Sequence, residues 1–384
     1  MRIAYVTETY PPELNGVSLT VERTVRFLRA QGHLVELIRP RQPGEAALDA
    51  DDELRTAGCA IPVYRELRFG LSRVGPLVRR FQRTRPDIVH LATPGPLGWA
   101  AHAAARALGI ATTSDIRTNF HQYSRYYRIA FLAGPVLGLL RRFHNLTRLT
   151  FVPTRGAVAE LGAAGFHHLT AVGRGVDSVR FSPSLRSDGL RARWQAGTAP
   201  VLLMVGRVAS EKNVELGLRA FERARAVRPG TQMIVVGDGP ARAALEKAHP
   251  DARFVGVRRG AELAAYYASA DIFLFPSLSD TFGNVVMEAL ASGLPVVAFD
   301  TAAPSEHVVD RVSGRLAKPG DEHAFIAAAA DIVDRSYDLA PMRAAAVLAA
   351  KRATWPEVLG RFEARLADTL HAPEASSAHI AVVA

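Results

Sequence analysis

The sequence predicts an α/β architecture of two Rossmann-like parallel-sheet domains facing a cleft. Three observations carry this. Short apolar runs alternate with helical patterns from end to end, the rhythm of parallel sheets covered by helices. The rhythm restarts near residue 200, after a polar connector. And 384 residues exceed what a single compact core usually organises.

In the first domain, residues 1–180, the strand-like runs are 2–7, 34–38, 87–91, 111–115 and 149–152, with helical stretches such as 18–31 and 97–108 between them. The connector 182–200 is rich in Ser, Arg and Pro. The second domain, 181–354, reads as strands at 201–205, 232–236, 253–255, 272–275 and 295–298. Its helices begin at Val214, Pro240, Ala261 and Asn284. Residues 355–370 form one amphipathic pattern, and the small, unpatterned residues 372–384 predict a disordered tail. No short-period repeat is present.

Composition is that of a globular protein, 48% apolar and 22% charged. The one cysteine, Cys59, excludes an internal disulfide and a multi-thiolate metal site, and is expected to be a small buried or half-buried hydrophobe. No secretory signal precedes the first strand, and the longest suspicious apolar run, 129–140, is too short to span a bilayer. A cytoplasmic protein is expected. The net charge of +10 sits wholly in residues 1–180, which hold 24 Arg, no Lys and 14 acidic residues. Such a half suits an acidic partner.

Candidate site residues cluster after strands. In 9–17, a strand runs into a loop and Gly16 opens a helix, whose N-terminus offers N–H groups to phosphate. A plain turn glycine reads as well from this segment alone, and the absence of G-x-G-x-x-G argues against an ordinary NAD site. After 201–205 come Arg207 and Lys212, two cations at a carboxyl strand end, suited to a diphosphate. After 272–275, a loop carries Asp280, Gly283 opens a helix, and Glu288 lies one turn inside. A carboxylate in so apolar a helix is costly unless hydrogen-bonded, and ribose hydroxyls would satisfy it. No Asp-x-Asp or His spacing predicts a metal site. Asp51-Asp52-Glu53 reads as a solvated acidic loop and His167-His168 as surface.

Taken together, Gly206-Arg207 with Glu211-Lys212, Gly237-Asp238-Gly239-Pro240, Phe254-Val255-Gly256, Pro276-Ser277 and Asp280-x7-Glu288 followed by Ala291-Ser292-Gly293-Leu294-Pro295 resemble the retaining GT-B glycosyltransferases of family 4. The likeness spans nearly the whole chain. Among them it looks most similar to GDP-mannose-dependent mannosyltransferases and sulfoquinovosyl-lipid synthases, many of which use lipid-linked acceptors. The resemblance implies transfer of a hexose, mannose favoured, from a nucleotide diphosphate donor to a lipid-linked or glycan acceptor, without metal or other cofactor.

By that resemblance, Arg207 and Lys212 hold the diphosphate, Asp280 touches the transferred sugar and Glu288 holds the ribose. Gly16 and the amides of Gly283, Asn284 and Val285 contact phosphate or sugar, and Val257 borders the base. The helix at 355–371 crosses back to brace the first domain. Two departures stand out. Asp280 replaces the usual Glu, with a shorter reach. Arg117-Thr118 stands where relatives carry His-Thr, and His121 follows four residues later. Arg117 and His121 are both expected to line the cleft, Arg117 at the donor and His121 near the reaction; which takes the family histidine's place stays open.

A 2-epimerase acting on nucleotide sugars shares the architecture, and an idle nucleotide-sugar or nucleic-acid binder is the alternative from another class. Tyr123, Tyr126 and Tyr127 among arginines imitate a base reader only weakly, so no nucleic acid is expected. Arg65, Arg68, Arg73, Arg79, Arg80, Arg83 and Arg85, with the apolar run 129–140 flanked by Arg125, Arg128, Arg141 and Arg142, predict reversible contact with an anionic membrane surface, on its inner face.

Overall fold

The computed structural model describes residues 1–13, 15–61, 64–116, 133–280 and 282–371. The first sheet has nine strands. Its elements run β1 (Arg2–Val6), α1 (Gly16–Ala30), β2 (Leu34–Pro40), β3 (Leu48–Ala50), β4 (Glu53–Ile61), β5 (Tyr64–Leu71), α2 (Val74–Thr84), β6 (Ile88–Leu91), α3 (Pro96–Ala107), β7 (Ala111–Asp115), α4 (Ala133–Asn145), β8 (Leu149–Val152), α5 (Arg155–Ala163) and β9 (Leu169–Ala171). The order across the sheet is β3-β4-β2-β1-β6-β7-β8-β9, with β5 paired to β4. Strands from β2 to β9 run parallel, while β3 and β5 are antiparallel to β4.

The second sheet has six parallel strands in the order β12-β11-β10-β13-β14-β15. It is built from α6 (Asp188–Arg193), β10 (Val201–Val205), α7 (Val214–Val227), β11 (Gln232–Val236), α8 (Arg242–Ala248), β12 (Ala252–Gly256), α9 (Gly260–Ser269), β13 (Ile272–Phe275), α10 (Asn284–Ala291), β14 (Val296–Phe299), α11 (Ala302–His307), β15 (Gly314–Ala317), α12 (Glu322–Asp334) and α13 (Ala340–Lys351). Helix α14 (Trp355–His371) follows and packs Phe362 and Leu366 into the core of the first sheet, beside Tyr5 and Phe151. Both sheets reverse their order at the first strand, between β1 and β6 and between β10 and β13. Loops at the carboxyl ends of these strands frame the crevices where doubly wound folds bind ligands.

The apolar runs read from sequence are the central strands, and they are buried on both faces. One strand differs in chemistry. In β7, Thr112, Thr113, Ser114 and Asp115 are all buried and meet histidines from neighbouring elements. Thr113 Oγ1 lies 2.9 Å from His90 Nδ1, Ser114 Oγ lies 2.9 Å from His144 Nδ1, and Thr112 Oγ1 lies 3.3 Å from His102 Nδ1. Burial pushes His144 down to about 4, so it stays neutral.

Several expectations change. The connector 182–200 is packed, not merely a spacer: Leu190 and Trp194 sit in the second core, and Arg186, Arg191 and Arg343 converge on Asp271 at 3.0, 2.8 and 3.2 Å. The β3–β5 strands escaped the sequence reading because their residues lack an apolar run. Asp51 and Asp52 form the turn between β3 and β4, but Glu53 starts β4 and pairs with Arg39 and Arg55 at 2.8 Å each, so it is not a solvated charge. Cys59 is exposed, not buried, because it lies on the outer face of an edge hairpin. Arg80 is buried and paired with Glu36 and Asp49, and Arg83 pairs with Asp49 at 2.7 Å, so two of the expected surface cations hold the fold instead.

Candidate functional site

The second domain's site gathers at the carboxyl ends of β10 and β13. After β10, Gly206 leads into a single 3-10 turn, Ser210–Lys212, and Asn213 adopts a left-handed conformation before α7 begins. That turn directs Lys212 towards the loop after β13, where Nζ lies 2.7 Å from Asp280 Oδ1. Ser279 Oγ donates to Glu211 O at 2.8 Å, tying the same two segments together. Asp280 Oδ2 is buried and finds no hydrogen-bond partner among the described residues. An orphaned carboxylate oxygen of this kind favours an incoming hydroxyl. Arg207 is 57% exposed and rests on Glu211 at 3.2 Å, leaving it able to turn towards an anion.

Glu288 lies four residues inside α10. Its carboxylate accepts the hydroxyl of buried Tyr267, on α9, at 3.0 Å. Burial pushes the Glu288 carboxyl up to about 7, opposed by the Tyr267 hydrogen bond and by Arg180 and Arg23. Gly283 takes a left-handed conformation (φ 94°) where a Cβ would stand 3.0 Å from the Phe275 ring. Only glycine fits that turn, and it brings the first amides of α10, at Asn284 and Val285, to the carboxyl edge without intrahelical acceptors. Val257 follows β12 at the same edge and is exposed.

In the first domain, Gly16 is the opening residue of α1. Asn15 caps the helix, its Oδ1 accepting from Val17 N at 3.1 Å and Ser18 N at 2.8 Å. The loop before it is locked. Glu13 accepts from Thr9 Oγ1 at 2.5 Å and from Gln42 Nε2 at 2.7 Å, and Asn15 Nδ2 donates to Thr9 Oγ1 at 2.7 Å. At the neighbouring crevice, buried Glu8 accepts from Leu97 N at 2.8 Å, at the start of α3. Burial raises Glu8 to about 7 against the backbone N–H bonds of Leu97, Gly98 and Gly70. His90 Nε2 lies 3.3 Å from Asp115 Oδ2, at the carboxyl end of β7.

The two domains meet around these loops. A Cβ on Gly16 would lie 3.2 Å from an Arg174 guanidinium nitrogen, so the segment joining the domains reaches the start of α1. Glu306 of α11 accepts from the Arg155 amide at 2.7 Å and pairs with its Nε at 3.0 Å, across the boundary. Arg174, Tyr267 and Arg180 join the site although the sequence reading passed over them. Glycines flanking Arg174 on both sides signal close backbone approach; nothing local marks Tyr267. Arg117 and His121 lie outside the described residues, as do Tyr123, Arg125, Tyr126, Tyr127, Arg128 and residues 129–132. Among the described residues, no group of three His, Cys, Asp or Glu is placed to hold a metal ion.

Comparison with known proteins identifies the family. The family described as Glycosyltransferase Family 4 matches residues 14–180, and the one described as Glycosyl transferases group 1 matches residues 199–335. A GDP-mannose-dependent alpha-mannosyltransferase of Mycobacterium tuberculosis is 35% identical, covering 95% of this chain and 97% of the relative. The protein of the same description from Mycolicibacterium smegmatis is also 35% identical, with 95% and 98% covered. Sulfoquinovosyl transferase SQD2 of Arabidopsis thaliana is 30% identical over 83% of this chain and 64% of its own length. Among solved structures, a sucrose-phosphate synthase from Thermosynechococcus elongatus superposes with a TM-score of 0.71 at 18% identity, covering 97% of this chain and all of that one. This last likeness shows the shared fold of two parallel-sheet domains.

Proposed function

The chain belongs to glycosyltransferase family 4 and is a glycosyltransferase, and on that premise we propose that it moves mannose from GDP-mannose, with retention, onto a lipid-linked acceptor at a membrane surface. The observation that carries the donor is the run of relatives at 34–35% identity, each described as a GDP-mannose-dependent alpha-mannosyltransferase and matched over nearly its full length or, in Corynebacterium glutamicum, 89% of it. The 2-epimerase alternative finds no support in these matches, and the family assignment displaces the idle-binder alternative.

The chemistry follows from the residues. Breaking the sugar–phosphate bond leaves charge on the diphosphate, and Arg207 and Lys212 neutralise it without a metal. Lys212 must then exchange Asp280 for phosphate, which frees both oxygens of Asp280 for the sugar's hydroxyls. Glu288 accepts from the ribose hydroxyls, Val257 borders the base, and the amides of Asn284 and Val285 with Gly283 and Gly16 line the donor's phosphates.

A lipid acceptor is supported by relatives described as alpha-monoglucosyldiacylglycerol synthase and as acting on phosphatidylinositol monomannoside. No helix among the described residues is long and apolar enough to cross a membrane. In α4, Val136 and Leu139 face outwards with Arg141 and Arg142 also exposed, a pattern suited to an interface. The test is a panel of sugar nucleotides scored by thermal shift and by transfer of labelled sugar to extracted lipid. GDP-mannose should give the largest shift, about 2.7 kcal/mol at 100 times its dissociation constant. A larger shift and transfer with a uridine donor would overturn the donor assignment.

A further inference from the structure

The β4–β5 hairpin bears an apolar face that nothing among the described residues covers. β4 pairs with β2 only as far as Thr56 opposite Pro40, and from Ala57 onwards it pairs with β5. Since β4 runs parallel to β2 and β1, the hairpin continues beyond the carboxyl edge of the sheet, the edge that also carries Gly16 and Asp115. Its register sets Ala57 opposite Leu71 and Cys59 opposite Phe69. Strand alternation places these four on one side, and all four are exposed, Phe69 at 38% and Leu71 at 47%.

The other side of the hairpin is occupied. A Cβ on Gly70 would lie 2.7 Å from Leu97 of α3, and Arg68 Nη2 donates to Gly58 O at 2.7 Å. The Glu8 carboxylate holds the Gly70 amide, so the hairpin is anchored to the crevice between β1 and β6. Beyond Leu71 the apolar surface continues through Val74, 40% exposed, at the start of α2. Arg73 is exposed beside it, and the Arg79 guanidinium folds back to 3.8 Å from the Cβ position of Gly75.

Charge selects the occupant. Residues 56–85 hold seven Arg and a single acid, Glu66. Arg80 and Arg83 are taken by Glu36 and Asp49, whereas Arg73, Arg79 and Arg85 are exposed with no ion pair among the described residues. A second copy of this chain would bring the same cations against themselves. An anionic lipid surface offers both the apolar layer and the opposite charge. We propose that the face formed by Ala57, Cys59, Phe69, Leu71 and Val74 inserts into the headgroup layer of an anionic phospholipid bilayer, with Arg73 and Arg79 on lipid phosphates. This rests on the lipid-acceptor reading and says which surface meets the lipid. It sets the bilayer against the carboxyl edge of the first sheet, beside the site.

Cys59 supplies the test, being the sole thiol of the chain. The full protein is labelled there with an environment-sensitive maleimide and mixed with phosphatidylcholine vesicles with or without phosphatidylglycerol. The expected result is co-sedimentation with anionic vesicles and a blue-shifted, brighter emission that high salt reverses. Phe69→Ser with Leu71→Ser should lower the vesicle partition coefficient about tenfold or more, with unchanged melting temperature. Arg73→Glu with Arg79→Glu should also release the protein. Sedimentation without a change at Cys59 overturns the hairpin and leaves the membrane reading to α4. An emission change that tracks protein concentration, not vesicles, identifies a second copy and overturns the proposal. Failure to bind either vesicle overturns it together with the membrane surface, while the donor panel still tests sugar transfer.

Discussion

Lys212 Nζ sits 2.7 Å from Asp280 Oδ1, joining the turn after β10 to the loop after β13. In the proposed donor complex each residue exchanges this contact for the donor. With Lys212 in its proposed role of neutralising the leaving diphosphate, Lys212→Ala should cut turnover by about two orders of magnitude with the melting temperature little changed. The pair is a fifth to just over a quarter exposed, and its own contribution to stability is correspondingly small. Arg207→Ala should act in the same direction. Near-normal turnover in both variants would remove them from the diphosphate.

Asp280→Asn keeps the shape but replaces one acceptor oxygen by a donor and weakens the hold on Lys212. Relative rates with different sugars on one nucleotide should change more than nucleotide affinity does. An unchanged sugar preference would count against its contact with the transferred sugar.

The ribose contact proposed for Glu288 predicts a link between donor binding and pH. Burial raises its carboxyl from the usual 4.5 to about 7 in the folded protein. Between those values the folded state keeps a proton that the unfolded state releases, so stability falls as pH rises from about 4.5 to about 7 and is level above. The full effect is on the order of 3 kcal/mol. In the proposed contact, ribose hydroxyls donate to the ionised form, so affinity for GDP should weaken as pH drops below about 7. Glu288→Gln should lower affinity at pH 8 and abolish that pH dependence, read by calorimetry. A GDP affinity in Glu288→Gln that still falls below pH 7 would assign the proton elsewhere, Glu8 being the other carboxyl raised to about 7.

Asp271 is a structural hub, not a ligand. It receives Arg186, Arg191, Arg343 and the Val201 amide, and it is mostly buried. Asp271→Ala strands three guanidinium groups and should cost roughly 3–5 kcal/mol in denaturant unfolding. A loss under about 1 kcal/mol would mean the carbonyls around Arg186 and Arg191 already suffice.

Gly175 packs against the start of α14, where a Cβ would fall 2.5 Å from Trp355 Cα, and Val176 N donates to Ala353 O at 2.9 Å beside it. Both passages between the domains touch here. Gly175→Ala should cost about 1–3 kcal/mol by forcing the two strands of chain apart, measured as a lower midpoint in urea. An unchanged midpoint would show that this crossing yields freely.

Sequence alone determined the two sheets, because a parallel strand buried on both faces must be an unbroken apolar run. Residues 149–152, 201–205, 232–236 and 272–275 come close to that mark and are strands to the residue, whereas 111–115 is a buried strand of polar residues whose hydroxyls are taken up by histidines. Gly16, Gly283 and Glu288 were legible too, since a glycine at a helix start and a carboxylate in an apolar helix each violate a local preference. Tertiary structure alone decided the rest. The β4–β5 hairpin has no such run, because it leans on α3 by one side only, and that one-sidedness is what exposes Cys59 and Phe69. Arg80 and Arg73 look alike in sequence, yet one is sealed against Glu36 and the other faces out, since charge pairing depends on which strands become neighbours. The same holds for Glu288, whose partner Tyr267 arrives from a different helix.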